Sequence, residues 1–349
     1  MVEKKYFGET QNGDIVSKFL LENKSGMQVE VSDLGALVLA ISIIDKEGIQ
    51  RDVALGFEKV EDYFDTETGM GAYVGRNANR IKGACVNIEG VDYKLDANEG
   101  NNNLHSGFNR SHCQMYYSEK GADDSGEYVE FHRVSPHLEQ GFPGDLEQTI
   151  RYTLTKNNEL MIDYVMSSDK TTIVNPTNHT YFNLDGHSNG TILEHELEIY
   201  SDSFLDIDKE MIPTGDIIDV SGTPMDFREK KKIGLDIDSE YLPLRTANGY
   251  DNNYIFKNDR TLKKVAKLYS SESGISMTVL SDLCGLQIYT GNFLNGQAGK
   301  DGSTYGKHSG ICLETQFYPN SCNDKRFPSP LLEAGTKFVS RTVYKFELQ

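Results

Sequence analysis

Residues 150–164 read IRYTLTKNNELMIDY, with apolar side chains at alternate positions on both sides of a central polar segment. The period of two holds over residues 150–154 and again over residues 160–164, and the Lys-Asn-Asn sequence between them is typical of a turn. Successive side chains of a strand point to opposite faces of its sheet. The segment therefore predicts an antiparallel hairpin with one buried face.

The same period recurs elsewhere in the chain. Residues 275–279 alternate after a polar turn, and residues 338–346 alternate with an aromatic residue at each end. Residues 191–198 alternate in part and are predicted as a strand, whereas the apolar run at 34–44 predicts a strand covered on both faces. Glycine and asparagine turns interrupt these runs, and long helical periodicity is scarce. We therefore expect an all-β protein, a large antiparallel β-sandwich or barrel.

Composition narrows the functional classes. The 349 residues carry a formal charge of -18, which argues against nucleic acid and anionic membrane surfaces as partners. No apolar run approaches the length of a membrane span, and no linker-like change of composition divides the chain. Five cysteines without a C-x-x-C pair indicate reduced thiols rather than a disulfide framework or a zinc site. We expect a single domain over residues 1–349 and a cytoplasmic location.

Some motifs lack the context that their chemistry requires. Residues 186–190, GHSNG, match the G-x-S-x-G turn of α/β-hydrolases. That turn needs a strand before the serine and a helix after it, and the predicted strand at 191–198 leaves no room for the helix. The chain has no phosphate-binding loop or dinucleotide fingerprint, and its eight histidines show no metal-ligand spacing. We therefore expect no cofactor and no metal.

Five segments each place a reactive side chain among small polar or apolar neighbours. They are VGRNANRI at 74–81, NNNLHSG at 101–107, NPTNHTYFN at 175–183, GYDNNY at 249–254 and GICLETQ at 310–316. Amides and hydroxyls suit a polyhydroxylated ligand, and a histidine can exchange protons near neutral pH. A glutamate within an apolar strand is costly unless it has a partner or a function.

In this order and spacing, the five segments resemble the motifs of the aldose 1-epimerase (mutarotase) family, and residues 287–293 add a further match. The resemblance covers essentially the whole chain. It implies the large antiparallel β-sandwich of that family, the galactose mutarotase-like supersandwich. It also implies interconversion of the α and β anomers of free hexoses such as galactose and glucose, without a cofactor. The expected partner is a free aldohexose, and the expected assembly is a monomer or a homodimer.

The resemblance also assigns roles to individual side chains. Glu314 would be the general base at the C1 hydroxyl, His179 the general acid at the ring oxygen, and His105 a group that orients the sugar. The residues expected to bind the sugar are Asn79, Arg80, Asp251, Gln287 and Tyr181. Tyr250 is a second candidate for stacking on the ring, because the chain has no tryptophan.

Two departures from the family pattern concern loops. Ser106 replaces a glycine after His105, and residues 317–322 lack the usual aspartate. Three alternative functions remain at this point. They are a non-catalytic sugar-binding protein, an epimerase of sugar phosphates, and a glycoside hydrolase that uses Asp251 and Glu314 as its carboxylate pair.

Overall fold

The computed structural model describes residues 1–64 and 66–349, and strands dominate it. The two α-helices of these residues are short, α1 at Val60–Phe64 and α2 at Leu242–Ala247. The strands are β1 Glu3–Glu9, β2 Ile15–Glu22, β3 Gln28–Ser32, β4 Val38–Ile44, β5 Gln50–Asp52, β6 Ala72–Val74, β7 Arg80–Ile81, β8 Cys85–Ile88, β9 Val91–Lys94, β10 Asn103–Leu104, β11 Tyr117–Asp123, β12 Gly126–Ser135, β13 Leu146–Thr155, β14 Glu159–Ser168, β15 Thr172–Ile173, β16 Thr177–His179, β17 Tyr181–Phe182, β18 Glu196–Ile199, β19 Ser203–Ile207, β20 Pro213–Asp219, β21 Lys231–Lys232, β22 Asp251–Ile255, β23 Lys263–Tyr269, β24 Ile275–Ser281, β25 Gly285–Tyr289, β26 Gln297–Ala298, β27 Thr304–Tyr305, β28 Ile311–Gln316, β29 Leu331–Leu332 and β30 Lys337–Leu348. Neither helix is long and apolar enough to cross a membrane.

Three antiparallel sheets form the body of the protein. The largest has nine strands in the order β11-β12-β13-β14-β30-β24-β23-β18-β21. A six-stranded sheet has the order β17-β28-β25-β22-β19-β20, and β1 to β5 form a sequential five-stranded sheet. The predicted hairpin is confirmed as β13 and β14, in which Ile150 lies opposite Tyr164.

The main core lies between the nine-stranded and six-stranded sheets. The ring of Phe182 on β17 packs 4.9 Å from that of Tyr344 on β30, centroid to centroid. The Tyr344 hydroxyl donates to the carbonyl oxygen of Leu313 on β28, at 3.2 Å. Apolar residues of both sheets, and of the five-stranded sheet, belong to one continuous buried cluster. The predicted all-β sandwich is confirmed.

The prediction for residues 34–44 is wrong in two respects. The strand begins at Val38, because Gly35 and Ala36 adopt left-handed φ values of 61° and 45° and turn the chain. Within the strand Ala40 and Ser42 are partly exposed, so one face is open to solvent. The apolar run arises because Leu37 and neighbouring residues pack in a second core cluster, on the other side of the six-stranded sheet.

The strand predicted at 191–198 is also shorter than expected. Regular pairing covers only Glu196–Ile199, and turns occupy the residues before it. Within the described chain, Ser188 lies in a turn that no helix follows. The geometry of a hydrolase nucleophile turn is therefore absent there.

The six-stranded sheet is covered on both faces, and this arrangement places the reactive side chains. On β28, Leu313 belongs to the main core whereas Cys312 belongs to the second cluster. Glu314 follows Leu313 and so points to the same side as Cys312, away from the main core. All six residues of β28 are buried. A strand covered on both faces explains why the sequence around Glu314 is so apolar.

Candidate active site

A cavity of about 760 Å³ opens on the face of the six-stranded sheet that turns away from the main core. This volume is in the range of small-molecule binding sites. Seven of the eight predicted site residues line it, namely Asn79, Arg80, His105, His179, Tyr181, Asp251 and Glu314. The eighth, Gln287, lies on β25 directly opposite Glu314, so its side chain is on the same face of the sheet, where its amide donates to Asp251.

Glu314 is buried in the floor of the cavity, with 2% of its surface exposed. Its Oε1 lies 3.6 Å from Nε2 of His179. Its Oε2 is buried and has no hydrogen-bond partner among the described residues. An unsatisfied carboxyl oxygen in a cavity is costly unless a ligand completes its hydrogen bonding. The carboxyl group is therefore positioned to act on a bound hydroxyl.

His179 ends β16, which pairs with β6. The backbone N–H of Gly71 donates to the His179 carbonyl oxygen at 3.1 Å and fixes the end of the strand. Gly71 has a φ of 71°, and a Cβ at this position would lie 2.0 Å from the carbonyl oxygen of Val38, so only glycine fits. On the imidazole ring, Nδ1 lies 3.5 Å from the Sγ of Cys312. The ring thus has Cys312 on one side and Glu314 on the other.

Burial shifts the pKa values of this pair in opposite directions. It raises the pKa of Glu314 well above its usual range, the Asp251 carboxylate adds to the shift, and Arg80 opposes it. Burial lowers the pKa of His179 to about 4. Groups this close titrate as a pair. Because burial favours the neutral form of each group, a proton shared by the pair is favoured on the carboxyl group rather than on the imidazole.

His105 lies on the loop after β10, at a φ of 50°. Its Nδ1 accepts a hydrogen bond from the backbone N–H of Asn79 at 3.2 Å, and its ring is edge-on to that of His179 at 5.3 Å. Ser106 follows at a φ of 73°, and its Oγ accepts from the Asn77 backbone N–H at 2.8 Å. This bond explains how a serine is accommodated where the family pattern has a glycine.

Arg80 is held by two carboxylates. Its Nε and Nη2 each donate to Glu99 at 2.7 Å in a bidentate pair, and Nη1 lies 3.9 Å from Oδ2 of Asp251. The Gln287 amide donates to Oδ1 of Asp251 at 2.5 Å. Burial raises the pKa of Asp251, while Arg80 and Gln287 oppose the shift. Arg80 and Asp251 thus present a fixed donor and a fixed acceptor to a ligand.

Aromatic side chains form part of the wall. Tyr181 lines the cavity, and its hydroxyl donates to the carbonyl oxygen of Thr68 at 3.0 Å. Tyr289 and Phe293 stack at the rim with centroids 6.4 Å apart, and Phe293 is more than half exposed. The expectation for Tyr250 is wrong, because its side chain turns into the main core and packs against Phe227.

A metal ion is a further candidate occupant of this cavity. One ligand atom each from His105, His179 and Glu314 lies within 4.8 Å of the others. The three residues are far apart in sequence, so ligand spacing could not reveal the group. A metal requires a carboxylate, whereas burial holds the carboxyl of Glu314 toward its protonated form. The 3.6 Å contact between Oε1 of Glu314 and Nε2 of His179 suits proton transfer between the two groups.

Three contributors have no clear signal in the sequence. Glu99 anchors Arg80 from an ordinary acidic turn, Cys312 appears as one more apolar residue of its strand, and Tyr289 belongs to a matched segment without a role of its own. Glu99 and Cys312 each act through a neighbour that is distant in sequence, Arg80 and His179 respectively. Only the fold brings these partners together.

The fold and the cavity define a class of protein, a β-sandwich enzyme with a buried carboxyl–imidazole pair in a site of sugar size. The chain belongs to the aldose 1-epimerase family, whose model matches residues 17–345. The prediction of an isomerase of this family is confirmed.

Known relatives agree over nearly the full length. The chain is 37% identical to a galactose mutarotase of Bos taurus over 349 residues, 99% of each protein. It is 35% identical to an aldose 1-epimerase of Escherichia coli, over 93% of this chain and 94% of the relative. The crystal structure of a galactose 1-epimerase from Lactobacillus acidophilus superposes with a TM-score of 0.87 at 26% identity, covering 100% of this chain and 99% of that one.

Proposed function

We propose that the protein catalyses mutarotation of free aldohexoses, galactose and glucose among them, with Glu314 and His179 as its proton-transfer pair. The observation that carries this proposal is the 3.6 Å approach of Glu314 Oε1 to His179 Nε2 on the floor of a sugar-sized cavity. The names of the relatives from Bos taurus and Lactobacillus acidophilus support galactose as a substrate.

The reaction needs one proton on the pair. With the ring closed, the productive form has a Glu314 carboxylate and a His179 imidazolium. The carboxylate takes the C1 hydroxyl proton while Nε2 protonates the ring oxygen, and the C1–O5 bond breaks to give the aldehyde. The pair then has its proton on Glu314, which is the arrangement that burial favours in the empty site. Rotation about C1–C2 and reversal of the steps give the other anomer.

The remaining side chains suit a neutral polyol. His105 uses its Nδ1 to accept from the backbone, so its Nε2–H is available to the ring oxygen or a neighbouring hydroxyl. Asp251 can accept from ring hydroxyls, and Arg80 with Asn79 can donate to them. Gln287 supports this set through its bond to Asp251. These interactions would place the anomeric carbon of the sugar next to Glu314 and His179.

The alternatives have less support. An epimerase of sugar phosphates needs cations for the phosphate, but Arg80, one of the two arginines that line the described cavity, is held by Glu99 in a bidentate pair. A sugar-binding protein without catalysis has no need of a buried carboxyl beside an imidazole, since that carboxyl costs stability. The net charge of -18 also disfavours anionic ligands.

Polarimetry tests the proposal directly. Freshly dissolved α-D-galactose should lose its excess rotation much faster with the protein than in buffer alone, and α-D-glucose should behave in the same way. Relaxation at the buffer rate for both sugars, with sugar binding intact by calorimetry, would replace the enzyme with a binding protein. Strong competition by a hexose 6-phosphate would instead favour the sugar-phosphate alternative.

The pH profile should be bell-shaped, because the pair must hold one proton. Activity should fall as the pH drops toward about 4, the pKa of His179, because the imidazole is then protonated and the pair holds two protons. It should fall again on the alkaline side, at the raised pKa of Glu314, well above the usual glutamate value of 4.5. Rates corrected for buffer catalysis would check this. Activity that keeps rising with pH would contradict the requirement for one proton.

Asp251→Asn should raise KM roughly tenfold or more, because a charge-assisted hydrogen bond is worth about 1.5–3 kcal/mol. Loss of this carboxylate should also lower the pKa of Glu314, since Asp251 helps to raise it. The alkaline limb of the pH profile should then move to lower pH. Asp62→Asn is the matched control, because Asp62 lines the same cavity but is exposed. Equal effects of the two changes would remove Asp251 from the sugar site.

We also propose that residues 1–349 work as one domain in the cytoplasm. One buried cluster joins residues from Val2 to Phe346, which supports a single unit. All five cysteines, each within the described residues, are free thiols, which supports a reducing compartment.

A further inference from the structure

The two histidines of the cavity have different neighbours at Nδ1. Nδ1 of His105 accepts from the backbone N–H of Asn79 at 3.2 Å. A backbone N–H can only donate, so this nitrogen must be bare. A neutral His105 therefore carries its proton on Nε2, the nitrogen left free to meet a sugar.

Nδ1 of His179 meets a sulfur atom instead, the Sγ of Cys312 at 3.5 Å. A thiol sulfur can donate or accept weakly, so this contact permits either tautomer. The contact of Nε2 with Glu314 selects the tautomer in which Nδ1 carries the proton, and Sγ as an acceptor then stabilises it. Nε2 faces the carboxyl of Glu314 at 3.6 Å, and the other oxygen of that carboxyl has no partner among the described residues. When Glu314 is protonated, its O–H needs an acceptor, and the bare Nε2 of His179 is the polar atom that faces it.

We propose that the two neutral histidines carry their protons on opposite nitrogens, His105 on Nε2 and His179 on Nδ1, and that Cys312 is the positioning residue that accepts the Nδ1–H of His179. The His105 tautomer follows from its backbone contact, and the His179 tautomer from the contact of Nε2 with a protonated Glu314. Their catalytic consequence rests on the proposed mutarotase function.

This assignment gives the histidines separate tasks. His179 keeps a proton on Nδ1 throughout the cycle, so its Nε2 can give a proton to the ring oxygen and take it back at ring closure. His105 would have to form an imidazolate to give up its Nε2 proton, so it acts only as a hydrogen-bond donor. The position of Cys312 is fixed because it lies on β28 between two neighbouring strands. It pairs with Tyr181 on β17 and with Tyr289 on β25. A thiolate beside Nδ1 would stabilise the imidazolium form of His179 and oppose its loss of a proton. Burial raises the pKa of the Cys312 thiol, so the thiol stays neutral.

Nitrogen-15 NMR of histidine-labelled protein without sugar, at neutral pH, tests the tautomers. Protonated and bare ring nitrogens have well-separated shifts, and His105→Gln and His179→Gln each remove one set of signals for assignment. We expect an Nε2–H tautomer for His105 and an Nδ1–H tautomer for His179. A wild-type His179 with its proton on Nε2 overturns the proposal, whatever the variants do.

Substitutions at Cys312 test its role. Cys312→Ala should move His179 toward a mixture of tautomers and lower kcat about tenfold, a part of the roughly 10²–10⁴-fold effect of a general acid, with KM within about twofold. Cys312→Ser supplies a stronger acceptor and should restore both the Nδ1–H tautomer and most of kcat. Cys284→Ala is the control, because Cys284 is equally buried but has no histidine contact within the described chain. An unchanged tautomer and kcat in Cys312→Ala would remove Cys312 from the proposal.

The two proposals can fail separately. Expected tautomers without mutarotation would leave the assignment standing and refute the function. Mutarotation with both histidines protonated on Nε2 would do the reverse. If Cys312→Ala does not fold, the wild-type spectrum and Cys312→Ser still decide the question.

Discussion

Glu314→Gln is expected to lower kcat for mutarotation by about 10²–10⁴-fold, the contribution of a positioned general base. Glutamine has the shape of a protonated glutamate but cannot take the C1 hydroxyl proton. The substitution should preserve the fold, because burial already favours the neutral form of this side chain. Sugar affinity should stay within a few-fold of wild type. Polarimetry measures the first effect, calorimetry with galactose the second and thermal unfolding the third.

Glu67→Gln provides the matched control for that substitution. Glu67 lines the same cavity, but its side chain is 92% exposed and lies at the rim. Its loss should leave kcat within about twofold, since exposed ion pairs contribute little. A Glu314→Gln protein that turns over sugar at a rate near wild type would require a different base.

His179→Gln should also lower kcat by about 10²–10⁴-fold, because glutamine cannot protonate the ring oxygen. A double variant with Glu314→Gln should be about as slow as the slower single variant, since the two groups exchange one proton and act as a unit. Stopped-flow polarimetry of the three variants gives these ratios. Multiplied losses in the double variant would mean that the two side chains act independently.

His112→Gln is the control for the histidine variants. His112 lines the cavity and is as buried as His179, and burial lowers its pKa to about 3. Its Nε2 has no hydrogen-bond partner among the described residues, and no carboxylate contributes to its pKa shift, so it has no partner for a proton exchange. Its replacement should leave kcat within several-fold of wild type. A loss as large as that of His179→Gln would make His112 an alternative acid.

Strand patterns and side-chain chemistry are local properties, so the sequence predicts them directly. The hairpin at residues 150–164 was predicted with its turn, because one buried face imposes a strict period of two. Predictions failed where that rule does not apply. Residues 34–44 contribute side chains to two different core clusters and include a left-handed turn. Their apolar side chains therefore do not follow a single period along the chain.

In the candidate site too, the sequence predicts the chemistry of a side chain but not always its position. Glu314 was predicted because a carboxyl in an apolar strand demands an explanation, and the structure places it beside His179. Tyr250 was assigned to the sugar on its residue type alone. Tyr250 immediately precedes β22 and turns into the main core, while Asp251, the first residue of β22, faces the cavity. Residue type predicts what a side chain can do, and its face of the sheet decides where it does it.

The sequence by itself determined the all-β class, the family and the set of reactive side chains, because these depend on local periodicity and on motifs of adjacent residues. Tertiary structure alone decided which groups meet. Three contacts join residues on different strands or loops. Cys312 contacts Nδ1 of His179, Glu99 pairs with Arg80, and Gln287 donates a hydrogen bond to Asp251. Their pKa values and proton positions depend on burial and distance, which only the packed sheets supply.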